Sequence, residues 1–190
     1  MSDTQWPRFE VFQQEEAGQP HLNTHAVHAP DPEMALLMAR DVFVRRPDCF
    51  SLWVTPASKI HSKTAQELAA PAWPVEVETD AAKIEETQPP AEPYYVFQKL
   101  RQQGRHTYAG QVEARTPVEA LRRALTTFKK QKALAWWVLP ARWVTHSTPD
   151  DVDSMFAPAR AKTFRDQSEY HTVSMMHKVK RASRPAKERA

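Results

Sequence analysis

The feature that most constrains this 190-residue chain is that it contains itself twice. Shifted by 85 positions, two stretches align without a gap. Phe9-Glu10-Val11-Phe12-Gln13 falls on Tyr94-Tyr95-Val96-Phe97-Gln98, His21 on His106, Val27 on Val112, Ala29 on Ala114 and Pro32 on Pro117. Ala35-Leu36 meets Ala120-Leu121, Ala39 meets Ala124 and Phe43 meets Phe128. These are eleven identities in 35 positions, where roughly two would be expected of unrelated chains. After a one-residue deletion, Trp53-Val54-Thr55-Pro56-Ala57 falls on Trp137-Val138-Leu139-Pro140-Ala141.

Each copy reads as strand, strand, helix, strand. First strands are expected near Phe9–Gln13 and Tyr94–Lys99, second strands near Leu22–Ala29 and Thr107–Ala114, with Gly18 or Gly104 in the hairpin loops. Thr116-Pro117-Val118-Glu119 has the form of a capping box with proline at the first helical position. Asp31-Pro32 makes a simpler N-cap. Leu36, Ala39 and Phe43 recur at i, i+3 and i+7, as do Leu121, Ala124 and Phe128, so each helix has one apolar stripe to lay on a small sheet. Arg45-Arg46 and Lys129-Lys130 close the helices, where positive charge suits the dipole. Third strands are expected at Phe50–Thr55 and Leu134–Leu139.

The predicted fold class is α+β: two tandem small strand-strand-helix-strand domains, roll-like or ubiquitin-like, joined by an acidic, proline-rich linker. The first repeat spans 1–64, the linker 65–93, the second repeat 94–177, and a basic tail, expected to be disordered, 178–190. The linker carries Glu67, Glu76, Glu78, Asp80, Glu85, Glu86 and Glu92 against Lys83 alone, with Pro71, Pro74, Pro89, Pro90 and Pro93. The tail has six bases and one acid, so much of the basic pI comes from it.

Composition excludes several kinds of chemistry. Three glycines against sixteen prolines leave no dinucleotide fingerprint and no Walker loop. A single cysteine, Cys49, rules out a disulfide framework, a four-cysteine zinc site and a cysteine-ligated iron–sulfur cluster. No Glu-x-x-His and no Gly-x-Ser-x-Gly occurs. The first residues lack the pattern of a signal peptide, and no apolar run approaches the roughly 20 residues of a membrane span. A cytoplasmic protein is expected.

His21, His25 and His28 invite a metal reading. On a regular strand, however, 21 and 25 share a face and 28 points away, and the second copy keeps only His106. Edge-strand or interface histidines are the better expectation. Trp53 and Trp137 are expected to pack under their helices, leaving the adjacent Trp136 to face a partner. The basic tail lacks aromatic interleaving, so nucleic-acid binding is not favoured, although a small RNA- or ribosome-associated α+β protein is the alternative reading.

One run of residues resembles a known family. It comprises Trp6-Pro7-x-Phe9-Glu10-Val11-Phe12, Gly18-x-x-His21, His28-Ala29-Pro30-Asp31-x-x-Met34-Ala35-Leu36-x-x-Ala39-Arg40-Asp41, Arg45-Arg46 and Leu52-Trp53-Val54-x-Pro56-Ala57-Ser58-x-Ile60. These residues resemble the B subunit of the bacterial phenylacetyl-CoA epoxidase, the ring-1,2-epoxidising oxygenase of phenylacetate degradation. The second copy is more diverged but alone carries Phe156-Ala157-Pro158-Ala159-x-x-Lys162-x-Phe164-Arg165, ending near Tyr170, which resembles the family's carboxy-terminal segment. The resemblance implies a non-catalytic adaptor that bridges a catalytic A-type subunit, holding a di-iron centre, and a C-type subunit. It also implies a reductase with flavin, an iron–sulfur cluster and NADPH. No catalytic, cofactor or metal residue is expected in this chain. Candidate partner-interface residues are Trp6, His21, His28, Arg45, Arg46, Trp136, Phe156 and Tyr170.

Overall fold

A computed structural model describes residues 5–44, 49–70, 90–128, 132–160 and 175–179. Residues 1–160 form one compact unit and 161–190 another, of which a short helix over 175–179 is described. Among the described residues no helix is long and apolar enough to cross a membrane.

The first copy supplies β1 (Arg8–Gln14), β2 (Leu22–His28), α1 (Pro32–Phe43), β3 (Ser51–Pro56), β4 (His61–Thr64) and the short helix α2 (Ala65–Ala69). The second supplies β5 (Glu92–Lys99), β6 (His106–Ala114), α3 (Pro117–Thr127), β7 (Ala135–Pro140), the two-residue β8 (Thr145–His146), a π-turn (Val152–Phe156) and α4 (Ala157–Arg160). Both long helices start as their caps dictate. Asp31 Oδ1 accepts from the Met34 amide at 2.7 Å, and Thr116 Oγ1 accepts from the Glu119 amide at 3.2 Å. The return arm of the expected box lands one residue early, since Glu119 Oε2 accepts from the Arg115 amide at 2.8 Å.

The fold is α+β with strands dominant and antiparallel, but the copies do not make separate sheets. All eight strands join in the order β4-β7-β5-β6-β2-β1-β3-β8. Strand β4 of the first copy leaves its own sheet to pair with β7 of the second, Ser62 opposite Trp137. Reciprocally, β8 of the second copy pairs with β3 of the first, His146 opposite Trp53. Trp53 corresponds to Trp137 and Ser62 to His146, so the two exchanges have the same register.

The segment after each exchanged strand stays with its host. Leu68 of α2 packs on the second copy's core, while Val152, Met155 and Phe156 pack on the first copy's core. Similar boxes lock both crossings. Thr64 and Glu67 exchange hydrogen bonds of 2.7 and 3.2 Å, and Asp151 Oδ2 accepts from the Thr148 amide and hydroxyl, each at 2.7 Å. Ser147 adds a clamp on β3: its hydroxyl accepts from the Leu52 amide at 2.9 Å and its amide donates to the Leu52 carbonyl at 2.8 Å. Separate rolls are therefore replaced by one reciprocally completed pair. Of the expected linker, residues 65–69 are helix and 92–93 belong to β5, while 71–89 lie outside the described residues, as does the tail beyond 179.

Strand alternation sorts the side chains onto two faces. Val11, Leu52 and Val54 with Ala35, Leu36 and Ala39 make a core under α1, and Val96, Trp136 and Val138 with Ala120, Leu121 and Ala124 make its counterpart under α3. The opposite, helix-free face carries Phe12, Phe97 and Leu139 with Trp53, Tyr95, Tyr108 and Trp137. Phe12 and Phe97 are equivalent residues, and their rings stack with centroids 4.1 Å apart. In a flat sheet β1 and β5 would stand about 14 Å apart, three strand spacings. The sheet must therefore bend between them. Pairing is sparsest at β2–β6, a single Leu22–Thr107 bridge in which the Tyr108 amide donates to the His21 carbonyl at 2.8 Å, which lets the sheet bend there. Bending there closes the helix-free face onto itself.

Two bulges set which residues reach which face. Pairing shifts between Val11 and Phe12 opposite His25 and Asn23, and again between Val96 and Phe97 opposite Gly110 and Tyr108. At Gly110 φ is +144°, and an added Cβ would lie 2.8 Å from the Phe128 ring. Its counterpart His25 instead stacks on Phe43, at 6.4 Å.

Because Phe12 and Phe97 join the halves, we expect one cooperative unfolding transition. Phe12→Ala and Phe97→Ala should each cost about 3–5 kcal/mol, and a double-mutant cycle should show non-additivity. Two separate transitions in denaturant, or strict additivity, would contradict a closed pair.

Candidate functional site

The two copies place a histidine flat against a tryptophan on the helix-free face. His21 stacks on Trp53 and His106 on Trp137, each with ring centroids 3.6 Å apart. Around the first pair lie Tyr95 at 5.0 Å, Tyr108 at 5.3 Å and His146 at 4.8 Å from the Trp53 ring. The equivalent positions in the second setting hold Glu10, Asn23 and Ser62. Glu10 is buried, and its carboxylate accepts from Asn23 Nδ2 at 3.1 Å and pairs with Arg8 at 2.7 Å. One setting is thus aromatic and the other polar, on a shared backbone.

Burial decides the charge of these histidines. Nε2 of His21 and of His106 is buried without a hydrogen-bond partner among the described residues. Desolvation, with help from His146, lowers the His21 pKa to about 4; desolvation, with help from Lys99, lowers that of His106 to about 4. Both are neutral rings at neutral pH. Burial likewise pushes the Cys49 thiol up to about 12, so it is no nucleophile. Among the described residues no group of three His, Cys, Asp or Glu could hold a metal ion.

Several sequence expectations change here. His21 and His25 do not share a face, because the bulge at Thr24 turns His25 toward α1 while His21 stays on the helix-free side. Trp53 and Trp137 lie opposite their helices, and Trp136 is the tryptophan buried under α3, at 4 % exposure. The adjacent tryptophans do face opposite sides of the strand, but residue type alone does not say which side is covered by the helix when both sides are apolar.

The candidate interface residues are not brought together. His21, Trp136 and Phe156 are buried within the chain: His21 against Trp53, Trp136 under α3 and Phe156 in the core under α1. Trp6 is exposed, and so is His28, at the end of β2 opposite Arg8. Arg45, Arg46 and Tyr170 lie outside the described residues. Sequence reasoning missed Tyr95, Tyr108 and His146. Strand alternation from Phe97 would have placed Tyr95 beside the helix-free face, but nothing in the sequence pattern marks a two-residue strand at 145–146.

The geometry is that of a fused pair of one small α+β repeat. The chain belongs to the phenylacetic acid degradation B family, which it matches over residues 5–77 and over residues 91–177, one stretch in each repeat. A relative, the B subunit of the 1,2-phenylacetyl-CoA epoxidase of Escherichia coli (strain K12), is 40% identical over 67 residues, covering 35% of this chain and 70% of the relative. No solved structure matches the chain.

The histidine stacks generate a prediction. Folding lowers both pKa values from 6.5 to about 4, so between these limits the unfolded chain binds more protons. Their contribution is fully present above about pH 6.5 and is lost as pH falls toward 4. Denaturant titrations across this range should show that decline. His21→Phe and His106→Phe, which keep an aromatic stack without titrating, should flatten it; a profile unchanged by both substitutions would remove the histidines as its cause.

Proposed function

We propose that this chain is a non-catalytic adaptor subunit of a multicomponent di-iron oxygenase that epoxidises phenylacetyl-CoA. It bridges the catalytic A-type and structural C-type subunits and is needed for turnover. In this reading the iron belongs to the catalytic partner, and the flavin, iron–sulfur cluster and NADPH to the reductase.

The observation that carries the reading is the double family match laid over the reciprocal exchange. Each repeat supplies the strand and the short helical segment that complete the other. One fused chain then replaces two single-repeat B chains, and the covalent tether makes their pairing intramolecular. Among the described residues polar groups form caps and strand clamps, and the aromatic cluster on the helix-free face joins the halves. Such a chain works by shape. It offers a rigid, two-ended body on which partners can be set at fixed spacing.

Reconstitution tests this. Phenylacetyl-CoA-dependent oxygen uptake by the A-type, C-type and reductase components should be lost without the chain and restored by adding it. Mass measurement of the assembled complex should find one fused chain for every two B positions. One fused chain at each single-repeat position would sink the pair-replacement idea, and full turnover without the chain would sink the adaptor role.

A further inference from the structure

Two equivalent ends of one fold can be compared, and folding makes the same demands of both. At the second repeat's hairpin end, Lys99 closes β5 with His106 on one side and Ala135 on the other. Arg105 and Leu134 precede those two partners in sequence, so Leu100, Arg105 and Leu134 all lie just past one rung of three strands. The Leu134 amide donates to the Lys99 carbonyl at 2.7 Å, fixing the third strand there. Arg101 and Lys132 flank the group, and both are exposed, as is Arg105. Leu100 and Leu134 are 38% and 43% exposed. The result is a pair of uncovered leucines among four cations. None of Lys99, Arg101, Arg105 or Lys132 makes an ion pair among the described residues.

The first repeat's equivalent end has the opposite character. Gln14, Glu15 and Glu16 stand where Lys99, Leu100 and Arg101 do, Pro20 replaces Arg105, and Phe50 replaces Leu134. The backbone is nevertheless the same: the Phe50 amide donates to the Gln14 carbonyl at 2.8 Å. The fold therefore does not require cations at this rung. Gathering four there costs self-repulsion that no carboxylate relieves among the described residues.

We propose that the β5–β6 hairpin end of the second repeat is a docking surface for an acidic segment of a partner protein, anchored by an apolar side chain on Leu100 and Leu134. This deepens the adaptor reading and rests on it, the partner being the A–C assembly. Charge complementarity selects the occupant. The exposed pair at the centre is aliphatic, with no aromatic ring for a base to stack on, so a protein surface fits better than a nucleic acid. The copies are thus functionally unequal: only the second docks an acidic partner at this end.

Binding of the full-length chain to the purified A–C assembly tests this by titration at low and high salt. The triple variant Arg101→Glu/Arg105→Glu/Lys132→Glu should weaken the complex at least about tenfold at low salt, with the difference shrinking as salt screens it. Leu100→Ser/Leu134→Ser should weaken it at every salt concentration. Glu15→Lys/Glu16→Lys, at the equivalent end, should leave affinity unchanged. All variants should keep the native unfolding midpoint, since the altered side chains are exposed or half-exposed.

Binding by the triple variant equal to that of the native chain would overturn the docking surface while leaving the adaptor reading intact. Equal losses from changes at both ends would overturn the inequality of the copies. Salt-sensitive self-association abolished by either charge reversal would assign the patch to a second copy of this chain. Retention of RNA that needs the three cations, with A–C binding unaffected, would assign it to nucleic acid. Either result overturns the proposal. A native chain that does not bind the A–C assembly at all would sink the adaptor reading, and this inference with it.

Discussion

Everything in this molecule depends on the two repeats closing against each other through Phe12 and Phe97. Neither four-stranded half is made of one repeat alone, since each borrows its outermost strand. The exchange leaves each repeat with an aromatic face that a helix does not cover, and the bend at β2–β6 buries that face. The third apolar cluster joins the two helix-side cores into one cooperative body. The pairing between the central strands is slight, a single bridge, so side-chain burial rather than backbone pairing holds the halves together there.

Much of each repeat was legible in the sequence. Asp31 and Thr116 announce the helix starts, the spacing of Leu36, Ala39 and Phe43 announces the buried stripe, and the first three strands of each copy lie within a residue or two of their expected places. How the copies pair was not legible. Hydrophobic alternation reports which way a side chain faces, not which strand lies beside it, and two halves with the same pattern can be satisfied within or between copies. The exchanged strands, His61–Thr64 and Thr145–His146, are short and polar, with no pattern to detect. The bulges were invisible for a related reason. Thr24 and Ala109 carry no turn signal, yet one extra residue inverts every assignment made by counting twos, and this is why His21 and His25 part company.

The site is the part least legible in the sequence, because residue type alone does not fix burial. A tryptophan is at home in a core or at an interface, and here Trp136 and Trp137 occupy two different interiors of one chain. Phe156 was recognised from its sequence neighbourhood and proved to be a core residue of the other repeat. The exposed charge difference between Glu16 and Arg101 was present in the alignment throughout. It acquires meaning only once both are known to sit at equivalent ends of one body.

The covalent joining of the repeats has a consequence for how the surface can change. In an assembly of two identical chains, any substitution is made twice and must be tolerated at both symmetry-related places. Fusion lifts that requirement: position 16 and position 101 mutate independently. The interior remains bound by its own pairing, since Phe12 cannot change without regard to Phe97. The outside is released. A chain of this kind can keep the closure of a twofold dimer while acquiring a front and a back, which two separate identical subunits cannot do.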